Sequence, residues 1–246
     1  MNTKNLYLSL TVFSSFFSAL ADGSQETVYS SISKKDTFSG FYAMGSVGHS
    51  RLSAMRKGTL SNTAVNIGIQ SNGSFVGDQP IFSAGLGYQT FISPSLLIGI
   101  EGLGFWDNHK KTSDTSFNFG GAVLSVSETL IKRFGGEIRA KVGYLLRDDL
   151  CLYAGAGAEN SSFTYKYTVT ANGVASPQKK SKALWGLFPF VGVRASVTDA
   201  VSLDFTYKCT FYQNISVNWA SGNYQFNRSI KPSESVIQLG ITYKIN

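Results

Sequence analysis

Charge is scarce in this chain: Asp, Glu, Lys and Arg make up 15% of its 246 residues, where ordinary soluble domains carry about a quarter. Past the N-terminus there is no run of eighteen apolar residues, which excludes a membrane-spanning helix from the remainder. The two cysteines are too few for a disulfide scaffold. Cys151 falls near one strand end and Cys209 in mid-strand on an apolar face. A bridge tolerates only a few ångströms between its partners, so both thiols are predicted to be free. No metal-ligand spacing, phosphate-cradling loop or nucleophile elbow occurs, so neither cofactor nor metal is predicted.

What is present begins with an export signal. Met1 to Lys4 is positive, Leu6 to Leu20 is an apolar run diluted by Ser and Thr, and Ala19-Leu20-Ala21 has the small-x-small form of a cleavage site. Residues 1–21 are therefore predicted to be removed, residues 22–37 to form a periplasmic leader, and residues 38–246 to form one barrel domain. The remaining chain of about 225 residues suits a single all-β unit. Glycine is abundant (25) and aromatics reach 13%.

The organising stretch is Val201 to Val217. Val201, Leu203, Phe205, Tyr207, Cys209, Phe211, Ile215 and Val217 alternate with a polar set that includes Asp204 and Lys208. Period-2 alternation makes a strand with two faces in different solvents. Charges in mid-strand opposite bulky aromatics fit lipid outside and a polar lumen inside. The pattern recurs. Glu137, Arg139 and Lys141 alternate with Ile138, Ala140 and Val142, and Glu234, Gln238, Thr242 and Lys244 alternate with Ile237, Leu239, Ile241 and Tyr243.

Eight strands result, and their connections alternate in length. Tight turns are predicted at 93–95, 147–149 and 198–200, and long polar loops at 50–80, 107–118, 170–182 and 218–231. Within 50–80 a hairpin extension is placed at Thr63 to Gln70. Sorting by length is what an outer-membrane barrel needs, with short periplasmic turns and longer extracellular loops. A ten-stranded count, with a further turn at Ser127-Glu128, would move Arg147-Asp148-Asp149 outside and spoil the sorting. The predicted fold is an all-β, eight-stranded, antiparallel up-and-down transmembrane barrel.

Carried by G-F-Y-A-M-G-S-V-G-H (40–49), I-R-A-K-V-G-Y-L-L-R-D-D-L (138–150), D-A-V-S-L-D-F-T-Y-K (199–208) and V-I-Q-L-G-I-T-Y-K-I (236–245), the chain resembles the small outer-membrane β-barrels of Gram-negative bacteria. These are typified by the OmpA transmembrane domain and by porin-like surface antigens. The resemblance implies the cell outer membrane as location and a structural or surface-antigen role. The family's last strand usually ends on an aromatic residue, whereas this one ends on Ile245-Asn246 with Tyr243 as its last aromatic.

Parity aims one set of charges inward: Glu101, Glu137, Arg139, Lys141, Arg194, Asp204, Lys208, Glu234 and Lys244. An eight-stranded barrel has room inside only for side chains, and charges withdrawn from water must pair. A lumen filled by ion pairs is the favoured reading, and a gated pore for small solutes is the alternative. A second set falls in the long loops: Arg51, Arg56, Lys57, Lys110, Lys111, Lys179, Lys180, Lys182 and Arg228, with Lys231 beside them. Positive loops at a cell surface suit lipopolysaccharide phosphates, outer-membrane lipids, and acidic glycans or proteins of a host. Nucleic acid is not a predicted partner, and a monomer is expected. Catalysis would need a Ser-His-acid set. The two histidines, His49 and His109, are placed at the extracellular rim beside Ser50 and Asp107, and sequence neighbours on a strand point apart. No catalytic residue is therefore assigned, and a lipid-modifying barrel enzyme is the most distant reading.

Overall fold

The computed structural model describes residues 38–62, 67–119, 122–171, 174–221 and 224–245; the export signal (1–21) and leader (22–37) lie outside them. The strands are β1 (Gly40–Asn62), β2 (Ile67–Phe91), β3 (Leu96–Phe119), β4 (Ala122–Arg147), β5 (Leu150–Ala171), β6 (Val174–Ser196), β7 (Val201–Tyr212), β8 (Ile215–Ser221) and β9 (Tyr224–Ile245). Each pairs antiparallel with its neighbour, and β9 closes the ring on β1. β7 and β8 are two segments of one span that pair with successive parts of β9, so the up-and-down barrel has eight spans.

In the half nearer the short turns, apolar side chains point outward and charges inward. Ile100, Ile138, Leu187, Leu203, Leu239 and Ile241 are all exposed, a face that only lipid can cover without cost. Aromatic girdles bound this band. Tyr88 packs on Phe41 with ring centroids 4.8 Å apart at one edge, and Phe82 stacks on Trp106 at 6.1 Å at the other. Amphipathic rings mark membrane–water boundaries in this way. The tight turns are held locally. Thr198 Oγ1 accepts the backbone N–H of Val201 at 3.0 Å, and Arg147 reaches Asp149 at 2.9 Å.

Beyond the second girdle the structure departs from the sequence reading. Among the described residues, segments 50–62, 67–80, 107–118, 170–171, 174–182, 218–221 and 224–231 carry the strands onward instead of forming irregular loops, and the first half of the hairpin extension placed at Thr63 to Gln70 lies outside them. The ladder between β2 and β3 stops at Ile81 and Asp107, and that between β6 and β7 stops at Gly186 and Tyr212. Above those rows the wall parts into two four-stranded sheets, β2-β1-β9-β8 and β3-β4-β5-β6. One core joins them: Leu52, Phe75, Ile215, Val217, Phe226 and Ile230 from the first, and Val126, Leu130, Phe163, Tyr165, Tyr167 and Leu184 from the second. A membrane barrel thus continues into a water-facing sandwich, and its polarity inverts at the boundary. Where lipid gives way to water, apolar side chains must change sides to stay dry.

Two irregularities perform part of the exchange. On β4 the register with β5 slips between Lys132 and Gly135, and inward parity switches from Glu137, Arg139 and Lys141 to Lys132, Leu130 and Glu128. Between β7 and β8, Gln213 and Asn214 break the alternation, so Ile215 and Val217 face the sandwich core instead of sharing the outer face of Leu203 and Phe211. An inserted residue re-aims every side chain after it. Ser127-Glu128, weighed as a turn, runs inside β4.

Candidate functional site

Tyrosines set the lower lumen because glycines opposite make room for their rings. A Cβ added at Gly192 would lie 2.3 Å from Tyr153, and one added at Gly87 would lie 2.4 Å from Tyr42. Tyr42 donates to Glu101, and Tyr153 donates to Asp204 at 2.5 Å. Glu101 also meets Arg139, Lys141 at 2.6 Å and Arg194 at 3.4 Å. Arg194 continues to Asp204 at 2.7 Å and to Gln89 at 3.0 Å. Aromatic faces serve as further partners: Arg139 lies 4.9 Å over Phe190, and Arg194 lies 4.8 Å over Tyr42.

The chain of charges climbs without a break. Arg139 approaches Glu137 at 3.6 Å, Glu137 binds Lys208, and Lys208 binds Glu159 at 3.0 Å. Lys132 then takes Glu159 at 3.5 Å, Asp107 at 2.9 Å and Glu234 at 2.5 Å. Eight of the nine residues that parity aimed inward are buried here, and Lys244 is half-buried at the periplasmic mouth. Lys132, Glu159, Asp107 and His109 are network members that the sequence reading missed. Lys132 lies beyond the β4 irregularity. Glu159 shares a face with Phe163 and Tyr165, whose rings look lipid-facing until the inversion is known. Asp107 and His109 keep the inward parity of Glu101 but fall in a segment that reads as loop.

Higher up, inside the sandwich, Arg56 and Arg228 close on Glu128, Arg228 at 2.9 Å. Arg56 also reaches Ser113 at 2.7 Å, and Arg228 reaches the Ser71 carbonyl at 3.0 Å. Their assignment to solvated loops is corrected: both guanidinium groups are buried, because the loops are strands and parity turns them inward. Arg51, Lys57, Lys110, Lys111, Lys179, Lys180, Lys182 and Lys231 are exposed. Tyr165 donates to Glu128; burial first, then that carboxylate, raises its hydroxyl well above the ordinary phenol value. Burial also raises Tyr167.

The buried interior balances. Seven buried cations (Arg56, Lys132, Arg139, Lys141, Arg194, Lys208, Arg228) face seven buried carboxylates (Glu101, Asp107, Glu128, Glu137, Glu159, Asp204, Glu234) among the described residues. The chain's net charge of +7 therefore resides elsewhere.

His109 is no rim histidine; it is buried, and its partner is Ser50 from another strand, with Ser50 Oγ at 2.8 Å from Nε2. His49 points outward to Asp78 at 3.3 Å. The Ser50–His109 contact lacks the geometry of an acyl-transfer set. Asp107 and Glu234 approach the same Nε2, at 3.7 and 3.8 Å, whereas a triad acid holds Nδ1. Nδ1 has no hydrogen-bond partner among the described residues, and the whole cluster is buried. Asp107, His109 and Glu234 also bring ligand atoms within 4.8 Å of one another. The Lys132 ammonium already supplies positive charge to both carboxylates, so the trio is arranged around a lysine. Both cysteines are free.

A family model described as OmpA-like transmembrane domain matches residues 35–246. Among solved structures, the chain is similar to Neisserial surface protein A, with 17% identity, 84% of this chain and 98% of that one covered, and a TM-score of 0.35. OprG of Pseudomonas aeruginosa gives 10% identity, 84% and 97% coverage and a TM-score of 0.48. Ail of Yersinia pestis gives 10%, 80% and 99%, and 0.31. No curated protein matches the chain significantly.

Proposed function

From the premise that the chain belongs to the OmpA-like transmembrane domain family and resides in the outer membrane, we propose that it is a non-enzymatic, non-conducting anchor that holds a rigid β-sandwich at the cell surface for contact with anionic partners. The observation that carries this reading is the ionic lumen, linked from Asp204 to Lys132 by buried pairs. The cavity at its periplasmic mouth, beside Tyr42, Gln89 and Arg194, holds about 10 Å³, room for about one water. A solute would have to break several buried pairs to pass.

The surface supports the second half of the reading. On the upper β3-β4-β5-β6 sheet, Lys110, Lys111, Lys166, Lys179, Lys180 and Lys182 are exposed against Asp114 as the one exposed carboxylate among its described residues. Lys166 and Lys179 sit directly opposite each other on β5 and β6, an arrangement that costs stability unless an anion neutralises it. Lysines also line the seam beside β8, where Lys180 donates to the Ser216 carbonyl at 2.7 Å. There they keep an open sheet edge from pairing with other chains.

The test has two parts. In planar bilayers the protein gives no steady discrete openings; discrete openings would favour the pore. On a sulfated-polysaccharide surface it binds with strong salt dependence, and Lys166→Gln with Lys179→Gln weakens binding several-fold. Salt-independent or unchanged binding would remove the lysine face as the contact.

A further inference from the structure

The other sheet of the sandwich, β2-β1-β9-β8, carries a different outer face. Two rows of side chains cross all four of its strands. The first runs Asn72, Lys57, Ser229, Ser216, and the second Gln70, Thr59, Asn227, Asn218; strand register sets both. All eight residues are exposed, and they line an open groove of about 490 Å³. That volume falls within the range of about 300 to 1,000 Å³ typical of small-ligand sites.

The lining is chemically narrow. Four amides and three hydroxyls each offer both donor and acceptor capacity, and Lys57 adds one ammonium. Gly58 and Arg228 complete the lining, with the Arg228 guanidinium turned inward onto Glu128, and among the described residues the groove contains no carboxylate, aromatic ring or aliphatic side chain. A protein partner would want aromatic or Arg anchors, and an acyl chain would want apolar walls. A long polyanion is better served by the lysine-rich opposite sheet. Repeated neutral hydrogen-bonding groups with a single outward-facing cation match a polyhydroxylated ligand bearing one anionic substituent.

Position names its source. Val47 lies at the lipid-facing girdle, paired with Phe82 and Leu239, and Lys57 lies ten residues farther along β1. At about 3.3 Å per residue and a tilt near 40°, the groove sits about 25 Å above the edge of the apolar band. It opens sideways, over the neighbouring lipids. We propose that this groove binds the phosphorylated core saccharide of the lipopolysaccharide surrounding the barrel, with the amide rows on sugar hydroxyls and Lys57 on a phosphate. The groove lies on a different sheet from the lysine face, so either contact can fail alone.

The test uses the full protein in nanodiscs free of lipopolysaccharide, titrated with water-soluble core oligosaccharide and followed by calorimetry. Wild type binds, and Asn72→Ala with Asn227→Ala weakens binding about tenfold, the effect of losing two hydrogen bonds. Lys57→Gln weakens binding of the phosphorylated core several-fold and leaves the dephosphorylated core unchanged. Lys166→Gln with Lys179→Gln changes none of these values. Both groove variants alter exposed residues, and retention of the heat-dependent gel shift verifies the barrel. Absence of binding, or equal binding by the double variant, overturns the proposal. Displacement of the core by a heparin hexasaccharide overturns the assignment of its source.

Discussion

Lys132 is a position where a single substitution unbalances the interior. Its ammonium lies within 3.5 Å of three carboxylates, Asp107, Glu234 and Glu159, and 4.8 Å over the Phe105 ring. Lys132→Met keeps the bulk of the stem and deletes the charge, leaving six buried cations against seven buried carboxylates. Removing one partner of a buried pair costs about 3–5 kcal/mol, since the other charge stays desolvated; we expect about 4 kcal/mol here. Adding Glu234→Gln restores neutrality. The double variant should therefore recover at least about 2 kcal/mol, a coupling normal for residues that share a network. The assay is reversible urea unfolding in lipid vesicles followed by tryptophan fluorescence, with exposed Lys231→Gln as a control expected to stay within about 0.5 kcal/mol of wild type. An unchanged urea midpoint for Lys132→Met would refute the argument. So would a double variant whose loss equals the sum of the two single losses.

Other outcomes follow from the upper tier. The folded Tyr165 hydroxyl titrates above the ordinary phenol value of 10.0, so its contribution is fully present below that value and is lost as pH rises through the folded one. Stability should fall above about pH 10, and Tyr165→Phe should flatten that slope in alkaline unfolding series. Phe163→Ala, which empties space beside Tyr212, should cost about 3–5 kcal/mol. It should open the sandwich to protease while the membrane half keeps its heat-dependent gel mobility. Simultaneous loss of both halves would contradict a two-tier core.

How far the sequence speaks depends on the solvent outside each strand. In the lipid-facing half, alternation places bulky apolar groups against Glu137, Arg139, Lys141, Asp204 and Lys208, and a period of two reads directly as inside and outside. In the water-facing half the same period is present, as in Phe163, Tyr165, Tyr167 and Val169 against Thr164, Lys166, Thr168 and Thr170. Its meaning is reversed there, and no residue announces where the reversal occurs. The irregularities at 133–134 and 213–214 hide it further, because each swaps the parity within one strand. Arg56 and Arg228 keep the inward parity of Tyr42 and Glu234 on their own strands but fall in segments that read as loops; their carboxylate, Glu128, becomes an inward residue only once the β4 irregularity is known. The groove on the second sheet is invisible in one dimension, since its rows join residues from four strands.

The inversion itself is tested most directly by single spin labels along the seventh span. Labels replacing Leu203, Tyr207 and Phe211 should be relaxed by oxygen dissolved in the bilayer, and labels at Ser216 and Asn218 by a water-soluble nickel reagent. A label at Val217 should be shielded from both. If oxygen in the bilayer reaches position 217 as readily as 207, one lipid-facing surface runs through the whole span, and the division into membrane barrel and water-facing sandwich is wrong.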